Sequence, residues 1–403
     1  MPSDPSELPE YPIVRPDDLT LDPRYLELQE GLPFKARMPF GEPIWIATRY
    51  DDVKFVYGDR RFGKGPGIGR DTPRMHGMDI GTDPSRLDNM DPPNHTRVRR
   101  LASQAFTPAK IRAMAGWIQG MTDELLDELE AAGKGADFMA LFAWKLPLRV
   151  VAGILGADDE LIPSFKHWVD AMTGVGSTLD ERIQAHHDLS EAVAQLIAAR
   201  RDEPGDDLLS VLVHARDSDD HLNEQELVNI SMTLFLGGFE TTAAQLGSTV
   251  WALMAHRDRW EELRDERDLM DAALEELWRW IPSFRHGSPM IRWAFEDVEL
   301  PSGRTIPANE PVLAEHQVAN RDEAAFPRAQ ELDLHRSDPN PHLALAWGSH
   351  RCMGAHLANL EVETTLRTLL DRFPNLALTV EPKDVSWSPS TFLRSCAELP
   401  VTW

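Results

Sequence analysis

The sequence predicts a mainly α-helical fold with small β-sheets at one side, in which one long helix crosses the core. Apolar residues recur at three- and four-residue spacing through most of residues 94–200 and again through 257–280, the period of helices that bury one face. Residues 230–254 form an apolar run that, at about 1.5 Å per residue, would cross a large domain. Short segments at 43–49 and 293–313 are bounded by turn signals, which favours strands.

These elements predict one domain over residues 1–403, with a β-rich N-terminal part to about residue 60 and a helical remainder. The chain has neither a Ser/Gly-rich linker nor an internal repeat. A helix from Asp51 to about Gly58 follows the first strand. Residues 63–89 are rich in Gly, Pro and Asp, which predicts a long loop of the kind that forms lids.

The central and C-terminal parts are expected to be mostly helical. The clearest periodic segments are 116–133, 147–156, 161–173 and 181–201. A polar turn at 201–207 separates them from the long helix, whose start is predicted by the capping-box spacing of Asn223 and Glu226. After Cys352 we expect one helix to about Phe373, followed by strands to the C-terminus.

Composition limits the classes of function. The net charge is −25, from 41 Lys and Arg against 66 Asp and Glu, which disfavours nucleic acid as a partner. Only two cysteines are present, which argues against a disulfide framework and fits a reducing, cytoplasmic location. The acidic N-terminus lacks the features of a signal peptide, and Glu240 interrupts the one membrane-like run. We therefore expect a cytoplasmic monomer that binds no membrane.

The glycine-rich run from Gly63 to Gly69 superficially suggests a phosphate cradle. It lacks the Lys-Ser/Thr that ends a P-loop, and a proline interrupts it. Nucleotide binding is not expected there.

Cys352 carries the strongest functional signal. It lies in the run from Leu345 to Gly354, two residues after His350 and just before an apolar helix. A thiolate needs donors or positive charge, which a glycine-containing loop and a helix N-terminus can supply. Such a thiolate suits haem iron as an axial ligand and favours O–O cleavage. A lone cysteine is otherwise more often a small buried apolar residue, so the surrounding pattern carries the argument.

That run resembles the cysteine-ligand loop of the cytochrome P450 superfamily, Phe-Gly-x-Gly-x-His/Arg-x-Cys-x-Gly. The matching positions are Gly348, His350, Cys352 and Gly354. Leu345 and Ala346 stand where the family usually has Phe and Gly, so less volume lies beside the sulfur and one loop position must accept a Cβ. The resemblance implies that Cys352 binds the iron of a haem, in a fold whose long central helix lies over it.

The segment from Gly237 to Thr242, Gly-Gly-Phe-Glu-Thr-Thr, lies midway along the long helix. Gly and Thr are poor choices for a helix interior, and a Thr hydroxyl can bond back to the i−4 carbonyl and open the ladder. Glu240 beside Thr241 could act as a proton relay, or as a satisfied buried polar pair at a kink. The segment also matches the family's Ala/Gly-Gly-x-Asp/Glu-Thr-Thr signature, which implies that Glu240 and Thr241 are catalytic and deliver protons to dioxygen.

Glu276 and Arg279 lie at i,i+3 in an otherwise apolar helix that ends at Pro282. Such pairs are usually solvated surface bridges, and a buried one needs further partners to offset desolvation. They match the family's Glu-x-x-Arg pair, whose role is structural. The resemblance makes Arg336 the third member of that network.

His95 and Arg99 lie on one face of a helical first turn that follows two prolines. Two donors there suit a carboxylate, although a basic surface helix is the alternative. The resemblance assigns both residues to the haem propionates, together with Arg292 and His350.

The resemblance as a whole implies a haem-thiolate monooxygenase. Its cofactor would be haem b (iron protoporphyrin IX), its co-substrate dioxygen, and its electron source NAD(P)H acting through a ferredoxin reductase and a ferredoxin. It would hydroxylate or epoxidise an apolar small molecule, a natural-product intermediate. One alternative is a haem-thiolate oxidase that couples C–C or C–O bonds, closes rings or desaturates without oxygen insertion. A non-catalytic partner scaffold is the other, and the intact Cys352, Glu240 and Thr241 argue against it.

Residues that contact the partner and the substrate are expected as follows. Ferredoxin would dock on the proximal face near Cys352, where the candidate contacts, which could equally be solvated surface arginines, are Arg97, Arg100 and Arg351. The apolar pocket residues that the resemblance implies are Met75, Met78, Phe239, Phe284, Pro289, Met290 and Phe392. Methionine and aromatic side chains favour an adaptable pocket. Arg285 and His286 could meet a polar group of the ligand, a propionate or solvent.

Overall fold

The fold is described from a computed structural model of the chain. It describes residues 8–13, 18–75, 83–104, 106–157, 159–173, 177–205, 207–217, 222–284, 291–388 and 393–403. Helices dominate these ranges, and the strands are short, so the predicted mainly α fold with small sheets is confirmed.

The described helices run in chain order as α1 Pro23–Glu30, α2 Tyr50–Gly58, α3 Asn94–Ser103, α4 Pro108–Ala113, α5 Ala115–Ala132, α6 Lys145–Ile154, α7 Ile162–Thr173, α8 Leu179–Asp202, α9 Leu208–Asp217, α10 Glu224–Ala255, α11 Arg257–Asp265, α12 Met270–Trp280, α13 His316–Ala319 and α14 Ala355–Arg372. The strands are β1 Phe34–Ala36, β2 Ile44–Ala47, β3 Phe62–Gly63, β4 Ala136–Asp137, β5 Ile291–Ala294, β6 Val298–Glu299, β7 Thr305–Ile306, β8 Pro311–Ala314, β9 Ala377–Leu378 and β10 Pro400–Thr402. Helices α1, α9 and α13 were not predicted from the sequence.

Helix α10 lies at the centre of the main core and packs against α6, α8 and α14. The predicted capping box is present at its start: Glu226 N–H donates to Asn223 Oδ1 at 2.8 Å, and Asn223 N–H donates to Glu226 Oε2 at 2.9 Å. Gly247 allows a π-helical turn to approach, because a Cβ there would lie 2.2 Å from Met139 Sδ. Most residues of α10 are buried, and Gly247 marks one of its close contacts.

A five-stranded sheet with the order β1-β2-β8-β5-β3 forms the other part of the core. Strands β2 and β8 pair in parallel, with Trp45 opposite Val312, and the remaining pairs are antiparallel. Ile44 and Ile46 pack into one apolar cluster and Trp45 into another, so both faces of β2 are buried. This sheet fixes β5, which carries Arg292, beside α2.

Two smaller sheets complete the architecture, β4-β10-β9 and the pair β6-β7. None of the helices in the described ranges combines the length and the hydropathy that a bilayer-spanning helix requires.

Candidate active site

Cys352 lies between a 3-10 turn, Gly348–His350, and the first turn of α14. Its backbone N–H donates to the carbonyl of Leu345 at 2.8 Å, which closes the loop. The side chain has accessible surface, yet desolvation by surrounding protein raises the pKa of the thiol; the Gly354 backbone N–H and the charge of Arg99 oppose this rise. The sulfur therefore faces a recess within the protein, and the loop donors alone do not favour a thiolate.

The loop before Cys352 is held tightly against α2. Gly348 has φ +73°, and a Cβ there would lie 2.4 Å from the carbonyl oxygen of Tyr57. Ala346 also has a left-handed conformation, with φ +57°, and its methyl group is buried. The position where the family usually has glycine is thus a left-handed one, which explains the usual residue.

Three of the residues expected at the cofactor carboxylates lie close together. The rings of His95 and His350 are 4.1 Å apart between centroids, and Arg292 acts on the pKa of both. His95 and Arg292 are each only 2% exposed. His95 Nε2 and Arg292 Nη2 have no hydrogen-bond partner among the described residues. Buried donors left unmatched in this way indicate a ligand that accepts hydrogen bonds.

The electrostatics of this cluster favour an anion. Burial, followed by Arg99 and Arg292, lowers the pKa of His95 to about 4. Burial and Arg292 also hold the pKa of His350 far below its ordinary value. Both imidazoles are therefore neutral at pH 7 and can each donate one N–H, beside the permanent charges of Arg99 and Arg292.

Arg99 connects this cluster to the cysteine loop. Its Nη2 donates to the carbonyl oxygen of Arg351, next to Cys352. Burial lowers the pKa of Arg99, while the charge of Cys352 raises it. The helix α3 that carries His95 is thereby fixed to the loop that carries the sulfur.

The segment from Gly237 to Thr242 lies in an α-helical part of α10, and the expected opening of the ladder is wrong. Thr241 Oγ1 does donate to the carbonyl of Gly237, at 2.5 Å, but the helix continues as an α-helix. Gly237 is exposed, and a Cβ added there would meet none of the described residues within 4 Å, whereas a Cβ on Gly238 would lie 2.7 Å from Val151. Space beside the helix therefore comes from the missing side chain at Gly237, on the face that carries half-buried Glu240 and Thr241.

Glu276, Arg279 and Arg336 form one ion-pair network beneath the site. Glu276 Oε2 accepts from Arg279 Nε at 2.7 Å and from Arg336 Nε at 2.9 Å. The Glu276 side chain has 0% exposure. Arg279 also donates to the carbonyls of Asn320 and Ala329, each at 2.8 Å, so α12 is tied to the segment before the cysteine loop.

The residues predicted to line the substrate pocket lie in different environments. Phe239 is fully buried in the main core, edge-on to Trp144 at 5.7 Å between centroids, so it offers no surface to a ligand. Phe284 is half-buried against His316, and Met75 packs against the apolar cluster behind β1. The positions outside the described residues are Met78, Arg285, His286, Pro289, Met290 and Phe392.

The three arginines predicted to contact ferredoxin differ in exposure and in ion pairing. Arg97 donates to Glu226 on α10 through both terminal nitrogens, at 2.6 and 3.2 Å, so its charge is compensated within the protein. Arg100 and Arg351 are exposed. These two remain on the surface next to the cysteine loop.

The family model described as Cytochrome P450 matches residues 34–394 of this chain. The chain belongs to the cytochrome P450 family. The Mycinamicin IV hydroxylase/epoxidase of Micromonospora griseorubida is 40% identical over 395 residues, which cover 98% of each chain. The Nocardicin C N-oxygenase of Nocardia uniformis subsp. tsuyamanensis is 40% identical over 396 residues, with the same coverage.

A solved structure of cytochrome P450mel 107F1 with biaryl coupling reactivity superposes with a TM-score of 0.91 at 40% identity, covering 96% of this chain and 98% of that one. This P450 is therefore a monooxygenase of the haem- and dioxygen-dependent kind, acting on a small molecule with electrons from redox partners.

Sequence reasoning missed two residues at the site of this P450. Tyr57 lies 5.8 Å below the guanidinium of Arg292, and its hydroxyl meets His316 Nδ1 at 3.1 Å. Lys64 is half-buried, and its charge acts on His350 and Arg292. The glycines around Lys64 indicate close packing, which the sequence-based prediction of a lid-like loop at 63–89 did not include.

Proposed function

We propose that this P450 hydroxylates or epoxidises an apolar natural-product intermediate, with Cys352 as the axial ligand of haem b. The observation that carries this proposal is that Cys352 follows His350 by two residues, that the His350 ring packs against His95, and that His95 and Arg292 have buried polar atoms without partners among the described residues. Haem would satisfy both sets of groups, because its iron can bind the sulfur and its propionate carboxylates can accept from the donors.

Because burial raises the pKa of the Cys352 thiol, a thiolate at this position would depend on a bound metal ion. Without a cation next to it, the desolvated thiol would stay protonated at neutral pH. A bound metal ion deprotonates a coordinating thiol outright. The hydrogen bond from the Gly354 N–H and the charge of Arg99 would then stabilise the thiolate and modulate its electron donation.

The propionates of the haem would be held by His95, Arg99, Arg292 and His350. Arg99 and Arg292 would provide charge, and the two neutral imidazoles would provide one N–H each. Arg292 comes from β5, His95 from α3 and His350 from the cysteine loop, so the carboxylates would cross-link three elements.

When bound, the haem supplies the activation of dioxygen, and the protein supplies position and protons. Thr241 donates its own hydroxyl proton to the Gly237 carbonyl, which leaves the lone pairs of Oγ1 free to accept a hydrogen bond. We assign Thr241 Oγ1 the role of accepting a hydrogen bond from a water molecule, or from another oxygen that carries a proton, beside exposed Gly237. Glu240, the neighbouring carboxyl on α10, would supply a proton to the oxygen that Thr241 holds.

Relatives support the substrate class. One is named as a mycinamicin hydroxylase and epoxidase, and its sequence covers nearly all of this chain. Phe284, half-buried next to the site elements, supplies apolar lining. The relative with biaryl coupling reactivity supports coupling without oxygen insertion as the second candidate. Product mass separates the two, since hydroxylation and epoxidation add one oxygen and coupling removes hydrogens.

Electrons would arrive from NAD(P)H through a ferredoxin reductase and a ferredoxin that docks near Arg100 and Arg351. Both arginines are exposed beside the cysteine loop, where an acidic partner would be attracted. Arg100→Glu is expected to slow ferredoxin-dependent reduction and to weaken its salt dependence, whereas Arg24→Glu on distant α1 should change neither. Equal rates for the two variants would exclude Arg100.

We also propose that the protein acts as a cytoplasmic monomer.

The ligation proposal has a direct test. The reduced protein with carbon monoxide should show the absorption band near the wavelength that gives the family its name. Cys352→Ser should lose this band and the activity, while Cys396→Ala, which removes the fully buried second cysteine, should keep both. An imidazole-type carbon monoxide spectrum in the wild type would contradict thiolate ligation.

A further inference from the structure

The glycines from Gly63 to Gly67 are required by close packing and not by a phosphate. A Cβ at Gly63 would lie 2.6 Å from Asp91 Oδ1, and a Cβ at Gly67 would lie 2.2 Å from the indole nitrogen of Trp293. Gly65 is less crowded, with Asp91 Oδ2 at 3.2 Å. The run thus lies directly on Asp91 and on the strand β5 that carries Arg292.

Asp91 occupies the backbone donors that a phosphate would need. Its carboxylate accepts from Lys64 N–H at 2.9 Å and from Gly65 N–H at 2.6 Å. The Asp91 carbonyl in turn accepts from His95 N–H at 3.0 Å. One residue therefore fixes the backbone of Lys64 relative to the helix that carries His95.

Within the part of the chain that the structure describes, the side chain of Lys64 forms no ion pair. Among the described residues, no carboxylate oxygen lies within 4.0 Å of its Nζ, and Asp88 is paired instead with Arg86 at 3.0 Å. Burial is the main cause that lowers the pKa of Lys64 to about 7, and the charge of Arg292 adds to it. A half-buried ammonium beside a guanidinium is costly unless an anion joins them.

Lys64 follows Gly63, which pairs with Trp293 in the antiparallel register of β3 and β5, so Lys64 lies beside Arg292, whose Nη2 is unmatched among the described residues. Among the charges that act on Lys64, that of Arg292 is the strongest. We propose that Lys64 is a further haem-binding residue, whose ammonium binds a propionate on the side of Arg292 and His350. This inference rests on the proposed haem function.

Binding of a carboxylate would remove the electrostatic conflict between Lys64 and Arg292. The two cations would share one anion, and Lys64 would then be fully charged at pH 7. The glycine run has a role in this arrangement, because residues without a Cβ at positions 63 and 67 let the loop lie against Asp91 and Trp293, which brings Lys64 beside β5.

Haem transfer from the holoprotein to excess apomyoglobin tests the inference without using enzyme activity. Lys64→Met should lose haem about tenfold faster than the wild type, because a charge-assisted contact at a partly exposed site is lost. Lys64→Arg, which keeps the charge, should stay close to the wild type. Lys35→Met, at a half-buried lysine that pairs with Glu310 on the same sheet, is the matched control. A Lys64→Met rate within twofold of the wild type would overturn the inference.

Haem dimethyl ester separates a propionate contact from a general loss of stability. Reconstituted with this ester, which has no carboxylates, Lys64→Met and the wild type should lose the group at equal rates. A difference that persists with the ester would mean that Lys64 acts through folding, and the inference would be rejected. The carbon monoxide spectrum of the wild type is recorded first, so that failure of thiolate ligation is distinguished from failure at Lys64.

Discussion

Replacing Glu276 by glutamine removes a carboxylate that faces two buried arginines, Arg279 and Arg336. Glu276 Oε1 accepts from Arg279 Nη2 and from Asp333 N–H, each at 2.8 Å, and Oε2 accepts from the Nε atoms of Arg279 and Arg336. Whichever way a glutamine amide is turned, its NH₂ group faces two donors. Arg279 and Arg336 are 2% and 8% exposed, so water cannot replace the lost acceptor.

The expected cost follows from this burial. Removing one partner of a buried ion pair typically costs about 3–5 kcal/mol, because a charge is left uncompensated. For 403 residues, an unfolding entropy of about 2.1 cal/mol/K per residue gives about 0.85 kcal/mol/K. The Glu276→Gln variant should therefore unfold at a temperature about 4–6 °C below that of the wild type.

The neighbouring residue on the same helix provides the control. Glu275 is 65% exposed and lies 3.5 Å from His342 Nε2, so Glu275→Gln should change the melting temperature by less than about 1 °C. The assay is thermal unfolding of both holoprotein variants, followed by circular dichroism at one scan rate. If the two variants melt within 1 °C of each other, the argument that Glu276 compensates buried charge is refuted.

Three further outcomes are expected. Thr241→Val, which keeps the side-chain shape but lacks the hydroxyl, should lower the product formed per electron pair at least about tenfold, whereas Thr241→Ser should retain most of it; equal losses would argue against a role for the hydroxyl. Asn223→Ala should lower the urea-unfolding free energy by about 1 kcal/mol through loss of the α10 cap, and Asn223→Asp should not. His316 has its pKa lowered by burial to about 4, so the unfolded chain binds more protons than the native protein between pH 6.5 and 4. The free energy of unfolding therefore falls as the pH falls through this range, by about 1.4 kcal/mol per pH unit. In urea titrations at pH 7, 6 and 5, His316→Gln should take up about one proton fewer on unfolding than the wild type.

Local signals in the sequence were sufficient for the central helix. The capping box of Asn223 and Glu226 predicts its start, because both hydrogen bonds join residues three positions apart. The bond from Thr241 Oγ1 to the Gly237 carbonyl is also local, since it joins residues four positions apart. What could not be predicted was that the ladder would stay closed, since Gly238 is required by Val151 of α6, far away in the sequence.

The strand pairing and the glycine packing could not be predicted, because they depend on contacts between residues far apart in the sequence. Trp45 pairs with Val312 across most of the chain, and no local pattern specifies that partner. Gly63 and Gly67 are required by contacts with Asp91 and Trp293, so the neighbouring residues could argue against a phosphate loop but could not reveal why glycines occur there. Family resemblance gave the site residues for the same reason: it carries information about contacts that spacing does not.

The cysteine loop shows which family glycines can be replaced. At Ala346, a left-handed conformation costs about 1–2 kcal/mol, but a buried methyl group returns about 0.8 kcal/mol and restricting the unfolded chain returns about 0.4–1 kcal/mol. These terms nearly cancel, so alanine is tolerated there. At Gly348, φ is also positive, but a Cβ would lie 2.4 Å from the carbonyl oxygen of Tyr57, an overlap with backbone that no side-chain adjustment relieves. Backbone conformation alone therefore does not make a glycine obligatory in this loop; contact with α2 does.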